Sequence, residues 1–130
     1  GLGMVSQGTR EWIDYELSAD VTPHLAKRSG IAVRVQGMTR FYALLVTADQ
    51  KAQLVKRCHQ ETVLAETPFT WDLGESIRLS LSVHANHIVG NINGKSVLEG
   101  VDGDLIAGGA GLIIEEGRSA TKQVRVRPVS

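Results

Sequence analysis

Apolar and polar positions alternate with a period of two along most of the chain. Over residues 12–21, Ile13, Tyr15, Leu17, Ala19 and Val21 alternate with Trp12, Asp14, Glu16, Ser18 and Asp20. Successive side chains on a strand point to opposite faces, so this pattern predicts a strand with one buried side. Pro23 stops it, and residues 22–29 read as a polar connection with room for a short helical turn. After Gly30, Ile31, Val33 and Val35 take one face while Ala32, Arg34 and Gln36 take the other. Residues 37–40 make a tight turn. Residues 41–47 are apolar on both faces, which predicts a central strand covered on both sides.

The same rhythm carries on. Residues 53–58 and 62–67 predict a hairpin around His59, Gln60 and Glu61. Residues 68–74 form a longer connection that holds Phe69 and Trp71. Ile77, Leu79, Leu81 and Val83 alternate with Arg78, Ser80, Ser82 and His84, which predicts a half-exposed strand. Ala85 and Asn86 turn the chain into residues 87–92. Asn93-Gly94 then carries a strong type I′ hairpin signal, because that turn needs positive φ at both central positions. Residues 95–99 return, residues 100–111 are rich in Gly and Asp and read as a loop, and residues 111–116 and 122–129 close the sheet. Roughly ten strands at a spacing of about 8 to 12 residues, with no helical period, predict an antiparallel two-sheet β-sandwich or a barrel.

Composition narrows the picture. The chain has 130 residues, 42% of them hydrophobic, which suits one domain with one sizeable core. We expect residues 1–130 to be a single sandwich excised from a larger protein, with Gly1 a tag remnant. Fourteen basic and fourteen acidic side chains cancel, so no global field draws nucleic acid or an anionic membrane. No apolar run approaches the roughly 18 residues of a membrane helix, and the first residues lack the pattern of a signal peptide. The lone cysteine, Cys58, forms no internal disulfide and fits a reducing, cytoplasmic setting; its plainest role is a small strand residue.

Several phrases together resemble known sandwiches. The run Trp12-Ile-Asp-Tyr-Glu-Leu-Ser-Ala-Asp-Val resembles a strand of laminin G-like and concanavalin A-like domains. Gly30-Ile-Ala-Val-Arg-Val with Tyr42-Ala-Leu-Leu-Val resembles their central strand pair. Ile88-Val-Gly-Asn-Ile-Asn-Gly and Gly108-Gly-Ala-Gly-Leu-Ile-Ile resemble two later motifs. The combination spans Trp12 to Pro128 and implies a concanavalin-like jelly roll. It resembles levan-binding carbohydrate modules, the 3-keto-disaccharide hydrolase domain family, and C-terminal domains of bacterial ADP-ribosylglycohydrolase-like proteins. Asp20-Val-Thr-Pro-His-Leu-Ala, with Arg34-Val-Gln-Gly-Met-Thr-Arg-Phe-Tyr-Ala-Leu, is most similar to the last group. This superfold hosts lectins, hydrolases and adhesion domains, so the resemblance implies architecture more than activity.

Candidate chemistry is sparse. Glu11, Asp14 and Glu16 superficially resemble the catalytic run of sandwich glycosidases, but Glu11 and Asp14 are three apart and fall on opposite strand faces. His24, His59, His84 and His87 lack zinc-site spacing and read as surface turn residues. Asp102 and Asp104 in the Gly-rich loop would need help from Asp72, Glu75 or backbone oxygens to hold calcium. The glycines of residues 108–111 lack the following helix of a phosphate loop.

The informative set is the polar side of the central strands: Arg34, Gln36, Tyr42 and Lys56, with Glu116 beyond them and Trp71 or Trp12 as stacking platforms. Guanidinium, amide and carboxylate groups beside an aromatic ring suit a sugar site, with Arg34 as anchor. Arg34 has a blander alternative, a salt bridge to Asp14 or Glu116. Three functions stay open: a non-catalytic carbohydrate-binding accessory module for an oligosaccharide, a structural domain packed against an attached catalytic domain, and a glycoside hydrolase. Exposed aromatics beside Arg34 would favour the first, and aromatics in the core the second.

Overall fold

The computed structural model describes residues 2–24 and 26–129, without the side chains of residues 2 and 7–11. These residues form eleven strands: β1 (Leu2–Trp12), β2 (Tyr15–Pro23), β3 (Arg28–Gly37), β4 (Arg40–Thr47), β5 (Lys51–Cys58), β6 (Gln60–Pro68), β7 (Ile77–His84), β8 (His87–Ile92), β9 (Lys95–Val101), β10 (Gly108–Glu115) and β11 (Ser119–Pro128). They make two antiparallel sheets. One has the order β1-β10-β3-β4-β5-β6 and the other β11-β2-β7-β8-β9. The fold observed is the antiparallel two-sheet sandwich that the alternation allows and the resemblance implies.

The alternating positions build the core between the sheets. Tyr15, Leu17, Ala19 and Val21 of β2, and Ile77, Leu79, Leu81 and Val83 of β7, face Ile31, Val33, Tyr42, Leu44 and Leu54 of the six-stranded sheet. Burial of each large aliphatic side chain contributes about 1.5–3 kcal/mol. β4 is buried on both faces, as its sequence predicts. Its second face joins a separate apolar cluster on the outer side of the six-stranded sheet, made of Ala32, Val35, Phe41, Ala43, Leu45, Val55 and Ile113, with Met4 against it. The Asn93-Gly94 turn has φ of 51° and 82°, the two positive values that a type I′ hairpin needs.

Three expectations shift. The chain has an additional strand, β1, where little alternation announces one, and the predicted strand over residues 12–21 breaks at Ile13 and Asp14. Ile13 is consequently 60% exposed rather than buried. The connection near residues 22–29 contains no helical turn in its described part, because β2 runs to Pro23 and β3 starts at Arg28. The loop of residues 100–111 shortens to 102–107, since β9 extends to Val101 and β10 begins at Gly108.

The largest correction concerns β3. Its partner β10 aligns Gly109 with Val35 and Gly111 with Ala32, so two residues, Val33 and Arg34, oppose Ala110 alone. That is a β-bulge, and Arg34 takes φ of 48° within it. A one-residue slip reverses the faces of everything beyond it. Val35 therefore turns outward into the outer cluster, and Arg34 turns inward and is 1% exposed. Gly108 passes so near that a Cβ there would lie 2.4 Å from the Arg34 carbonyl carbon.

Candidate functional site

The bulge makes Arg34 the hub of one end of the sandwich. Its Nε and Nη2 donate to Ile13 O at 3.0 and 2.9 Å. Its Nη1 donates to Ala85 O at 2.7 Å and Leu105 O at 3.0 Å. Nη2 also lies 3.3 Å from Asp14 Oδ1. The Arg34 backbone N–H, displaced from the ladder, donates to the Tyr15 hydroxyl, which donates in turn to Gly109 O at 2.8 Å. Burial pushes Tyr15 up to about 12, against the opposing pull of the Arg34 N–H and charge. Arg34 thus ties together the β1–β2 link, the β7–β8 turn and residues 102–107.

Four of the six residues expected to bind a ligand engage that same loop. Lys56 Nζ lies 2.8 Å from Asp102 Oδ2 and 2.6 Å from Asp104 Oδ2. The Tyr42 hydroxyl donates to Asp102 Oδ1 at 2.5 Å and accepts from Leu105 N at 3.1 Å. Gln36 Nε2 donates to Ala107 O at 2.8 Å, and its Oε1 accepts from Arg40. Burial works to raise Asp102, yet the Lys56 ammonium, the Tyr42 hydroxyl and the Asp104 N–H hold it below its ordinary value. Burial first, then the Asp102 hydrogen bond, pushes Tyr42 up. Arg34, Gln36, Tyr42 and Lys56, expected on a polar sheet face, all reach residues 102–107, and the acceptors they converge on belong to the chain itself.

Trp71 and Glu116 lie at the opposite end and do not join this group. Trp71 is 7% exposed, and its indole N–H donates to Thr47 O at 3.0 Å, so it closes the core instead of offering a platform. Its edge and Glu116 line a hollow of about 520 Å³ with His24, Lys27 and Gln50. Trp12 packs edge-on against Tyr15, ring centroids 5.5 Å apart. Asp72 and Glu75 bond to each other within one turn, away from Asp102 and Asp104, whose carboxylates face Lys56. Among the described residues no group of three or more His, Cys, Asp or Glu side chains could hold a metal. The Glu11 carboxylate lies outside the described side chains, and Glu16 pairs with Arg127 at 2.9 Å.

A second polar cluster lies on the outer face of the six-stranded sheet. Arg28 shares the face of Ala32 by strand alternation, Gln53 that of Val55, and Glu115 that of Ile113. Arg28 meets Glu61 in a bidentate pair, Nη1 to Oε2 and Nη2 to Oε1, both at 2.8 Å. Its Nε donates to Glu115 Oε2 at 2.7 Å, and Nη1 reaches Gln53 Oε1 at 3.3 Å. Only 16% of the Arg28 side chain and 14% of that of Glu115 are exposed. These groups line a cleft of about 500 Å³ with Lys27, Thr47, Ala48 and Asp49. The Arg28 guanidinium holds Glu61 below the usual carboxylate range, outweighing burial, and the Arg57 charge adds to this.

A carboxylate oxygen has two lone pairs. Each Glu61 oxygen gives one to Arg28 and keeps another for an incoming donor. Arg28 is therefore a fixed strut that holds two carboxylates and one amide oxygen in place, while the carboxylates remain acceptors for hydroxyl groups. Sequence reasoning missed Arg28, Gln53, Glu61 and Glu115. Arg28 and Glu115 are 87 residues apart, and no local motif links them. The one readable signal was that β4 is apolar on its outer face too, which marks that face as the floor of something.

Comparison with known proteins bears on the fold. No family model matches the sequence, and no curated protein matches it. Solved structures do. A carbohydrate-binding module, CBM66 from Bacillus subtilis, superposes with a TM-score of 0.89 at 15% identity, over 97% of this chain and 81% of that one. CG-16, a homodimeric agglutinin from chicken liver, gives 0.70 at 12%, over 98% and 100%. A Bacillus subtilis protein of unknown function with a galectin-like fold gives 0.76 at 13%, over 98% and 77%. The chain has the jelly-roll sandwich these proteins share, and at such identities the likeness is one of fold.

Proposed function

We propose that this domain binds saccharides, without catalysing their cleavage, in the cleft on the outer face of the six-stranded sheet. The observation that carries this reading is the Arg28–Glu61–Glu115–Gln53 cluster. It is a set of partly buried planar groups, pre-oriented by one guanidinium, on the sheet face that also carries the outer apolar cluster. Adjacent sugar hydroxyls present donors and acceptors at the spacing of such groups, and a rigid polar array lowers the entropic cost of holding them. The fold, shared with a carbohydrate-binding module and an agglutinin, supports the same reading.

Hydrolysis is the weaker alternative. Glycoside cleavage needs one carboxyl group that keeps a proton near neutral pH while a second stays ionised. Glu61 is held ionised by the Arg28 strut, which is the wrong direction for an acid catalyst. The buried positions of Tyr42 and Trp71 favour the other alternative, a domain that packs against a catalytic partner. The resemblance to C-terminal domains of ADP-ribosylglycohydrolase-like proteins supports an accessory role in a larger bacterial protein.

A glycan array, followed by isothermal titration of the hits, tests the proposal. Glu61→Gln keeps the shape of the side chain but loses the bidentate ion pair with Arg28, and should abolish binding while the domain stays folded. If no glycan binds at millimolar concentration, or if Glu61→Gln binds as the native domain does, the reading fails.

A further inference from the structure

A second hollow adjoins the Arg28 cleft. It measures about 520 Å³, beside about 500 Å³ for the cleft, and each lies within the ~300–1,000 Å³ of ordinary ligand sites. Lys27 and Ala48 line both, so the two meet along a ridge held by the bond from Ala48 N–H to Lys27 O at 2.8 Å. The ridge is low, because the exposed Ala48 contributes only a methyl group. Across it the lining changes character. The cleft offers acceptors, the oxygens of Glu61, Glu115 and Gln53 around a guanidinium whose nitrogens are all engaged. The hollow offers apolar surface from Trp71 and from Leu73, which is 67% exposed, and it offers donors. Gln50 Oε1 accepts from Trp71 N–H at 2.7 Å, while the Gln50 backbone donates to Thr47 O and accepts from Phe69 N–H. These bonds fix the Gln50 amide, and among the described residues its Nε2 donates to none. Lys27 Nζ, 3.7 Å from Glu115, is beyond hydrogen-bond reach of that carboxylate and keeps its donors at the ridge.

We infer that the saccharide site crosses the Ala48 ridge into the hollow beside Trp71, so that the domain takes an oligosaccharide along its length and not a single terminal sugar. The inference rests on the saccharide reading above and sharpens it. One unit gives hydroxyl protons to Glu61 and Glu115 in the cleft. The chain crosses at Ala48, where Lys27 donates to its oxygens. A further unit sets its apolar C–H face against Leu73 and the edge of Trp71, and accepts from Gln50 Nε2. A hydroxyl both donates and accepts, so one repeating unit satisfies an acceptor-lined cleft and a donor-bearing hollow alike.

The test is calorimetric titration with size ladders of gluco-, galacto-, manno- and fructo-oligosaccharides, from single units to pentamers. In a ladder that binds, the native domain should hold the pentamer about tenfold or more tightly than the single unit, the scale of one or two net hydrogen bonds. Gln50→Glu keeps an oxygen for Trp71 N–H and removes the Nε2 donor. Leu73→Asp removes an exposed apolar contact, and it also serves where the first variant folds poorly, as read by its melting temperature. In each variant the ratio of pentamer to single-unit affinity should fall toward one, whereas Glu61→Gln should abolish binding at every length. Equal affinity for all lengths in the native domain would overturn the inference and leave the saccharide reading standing. A ratio that survives in both Gln50→Glu and Leu73→Asp would also overturn it. Absence of binding by every ladder would remove both.

Discussion

Arg34→Ala should be among the most damaging single substitutions in the domain. The native side chain is 1% exposed and donates to the carbonyls of Ile13, Ala85 and Leu105 and toward the Asp14 carboxylate. Truncation strands those acceptors in a sealed end of the core and opens a cavity there. Removing one partner from a buried, hydrogen-bonded charge cluster costs about 3–5 kcal/mol, a large share of the ~5–15 kcal/mol that a domain has in total. At about 3–5 °C per kcal/mol for a chain of this size, the melting temperature should fall by roughly 10–20 °C. Urea denaturation of Arg34→Ala beside a surface control, Arg127→Ala, whose side chain is 68% exposed, measures the difference. Hydrogen exchange should show the amides of residues 102–106 losing protection first, because Arg34 holds that loop through Leu105. A loss below about 1 kcal/mol, or an unchanged loop, would refute the reasoning.

Three further outcomes follow from the same structure. Leu81, wholly buried between the sheets, should cost about 2–5 kcal/mol when changed to Ala, and a shift no larger than a surface control would count against the packing described. Gly94→Val should destabilise by at least ~1 kcal/mol, because a β-branched residue resists the φ of 82° at that turn; an unchanged denaturation midpoint would contradict the turn. Neither of the two tyrosines should ionise near the ordinary value of ~10, since burial raises both Tyr15 and Tyr42. A raised folded value means that the stabilisation is complete below ~10 and is lost as pH rises through the folded value. Tyrosinate absorbance should therefore appear together with alkaline unfolding, and absorbance rising near ~10 in a folded domain would be inconsistent with these environments.

The fold was legible because it depends on a local and redundant signal. Alternation in β2 and β7 recurs at every second residue, and β4 is apolar along nearly its whole length, so one misplaced residue such as Ile13 leaves the assignment intact. The Asn93-Gly94 turn was legible for the same reason: two adjacent residues suffice to set it. β1 was not legible, since Met4 and Val5 show no alternation of apolar and polar positions, and among its described side chains Met4 packs on the outer cluster while Val5 is 71% exposed. The site was hidden by a different kind of information. Glu61 and Arg28 are 33 residues apart and lie on strands separated by two others, and nothing in either segment refers to its partner. Lys56 and Arg57 illustrate the limit. They are adjacent and similar, yet Lys56 closes on Asp102 and Asp104 while Arg57 has no acidic partner among the described residues. Strand parity puts them on opposite faces, and only the tertiary register decides which face is closed by a loop.

The bulge at Arg34 explains why the motif-bearing residues bond within the chain. A non-glycine residue at φ of 48° carries strain of roughly 1–3 kcal/mol, and this is offset by the hydrogen bonds that the inverted side chain makes. The offset requires the Tyr15 hydroxyl to bridge the broken ladder, Gly108 to let β10 approach, and residues 102–107 to supply Leu105 O. Those elements include the Tyr of the Trp12–Val21 run, the Arg of Gly30–Val35, Tyr42, and the glycines of 108–111, which are the phrases that resemble other sandwiches. The resemblance therefore follows the closure of one end of the jelly roll. A ligand site on the outer face is under no such constraint, because Arg28, Gln53 and Glu61 can each change without disturbing that closure. The recurring residues accordingly report the fold, and the specificity proposed for this chain rests on residues that no motif marks.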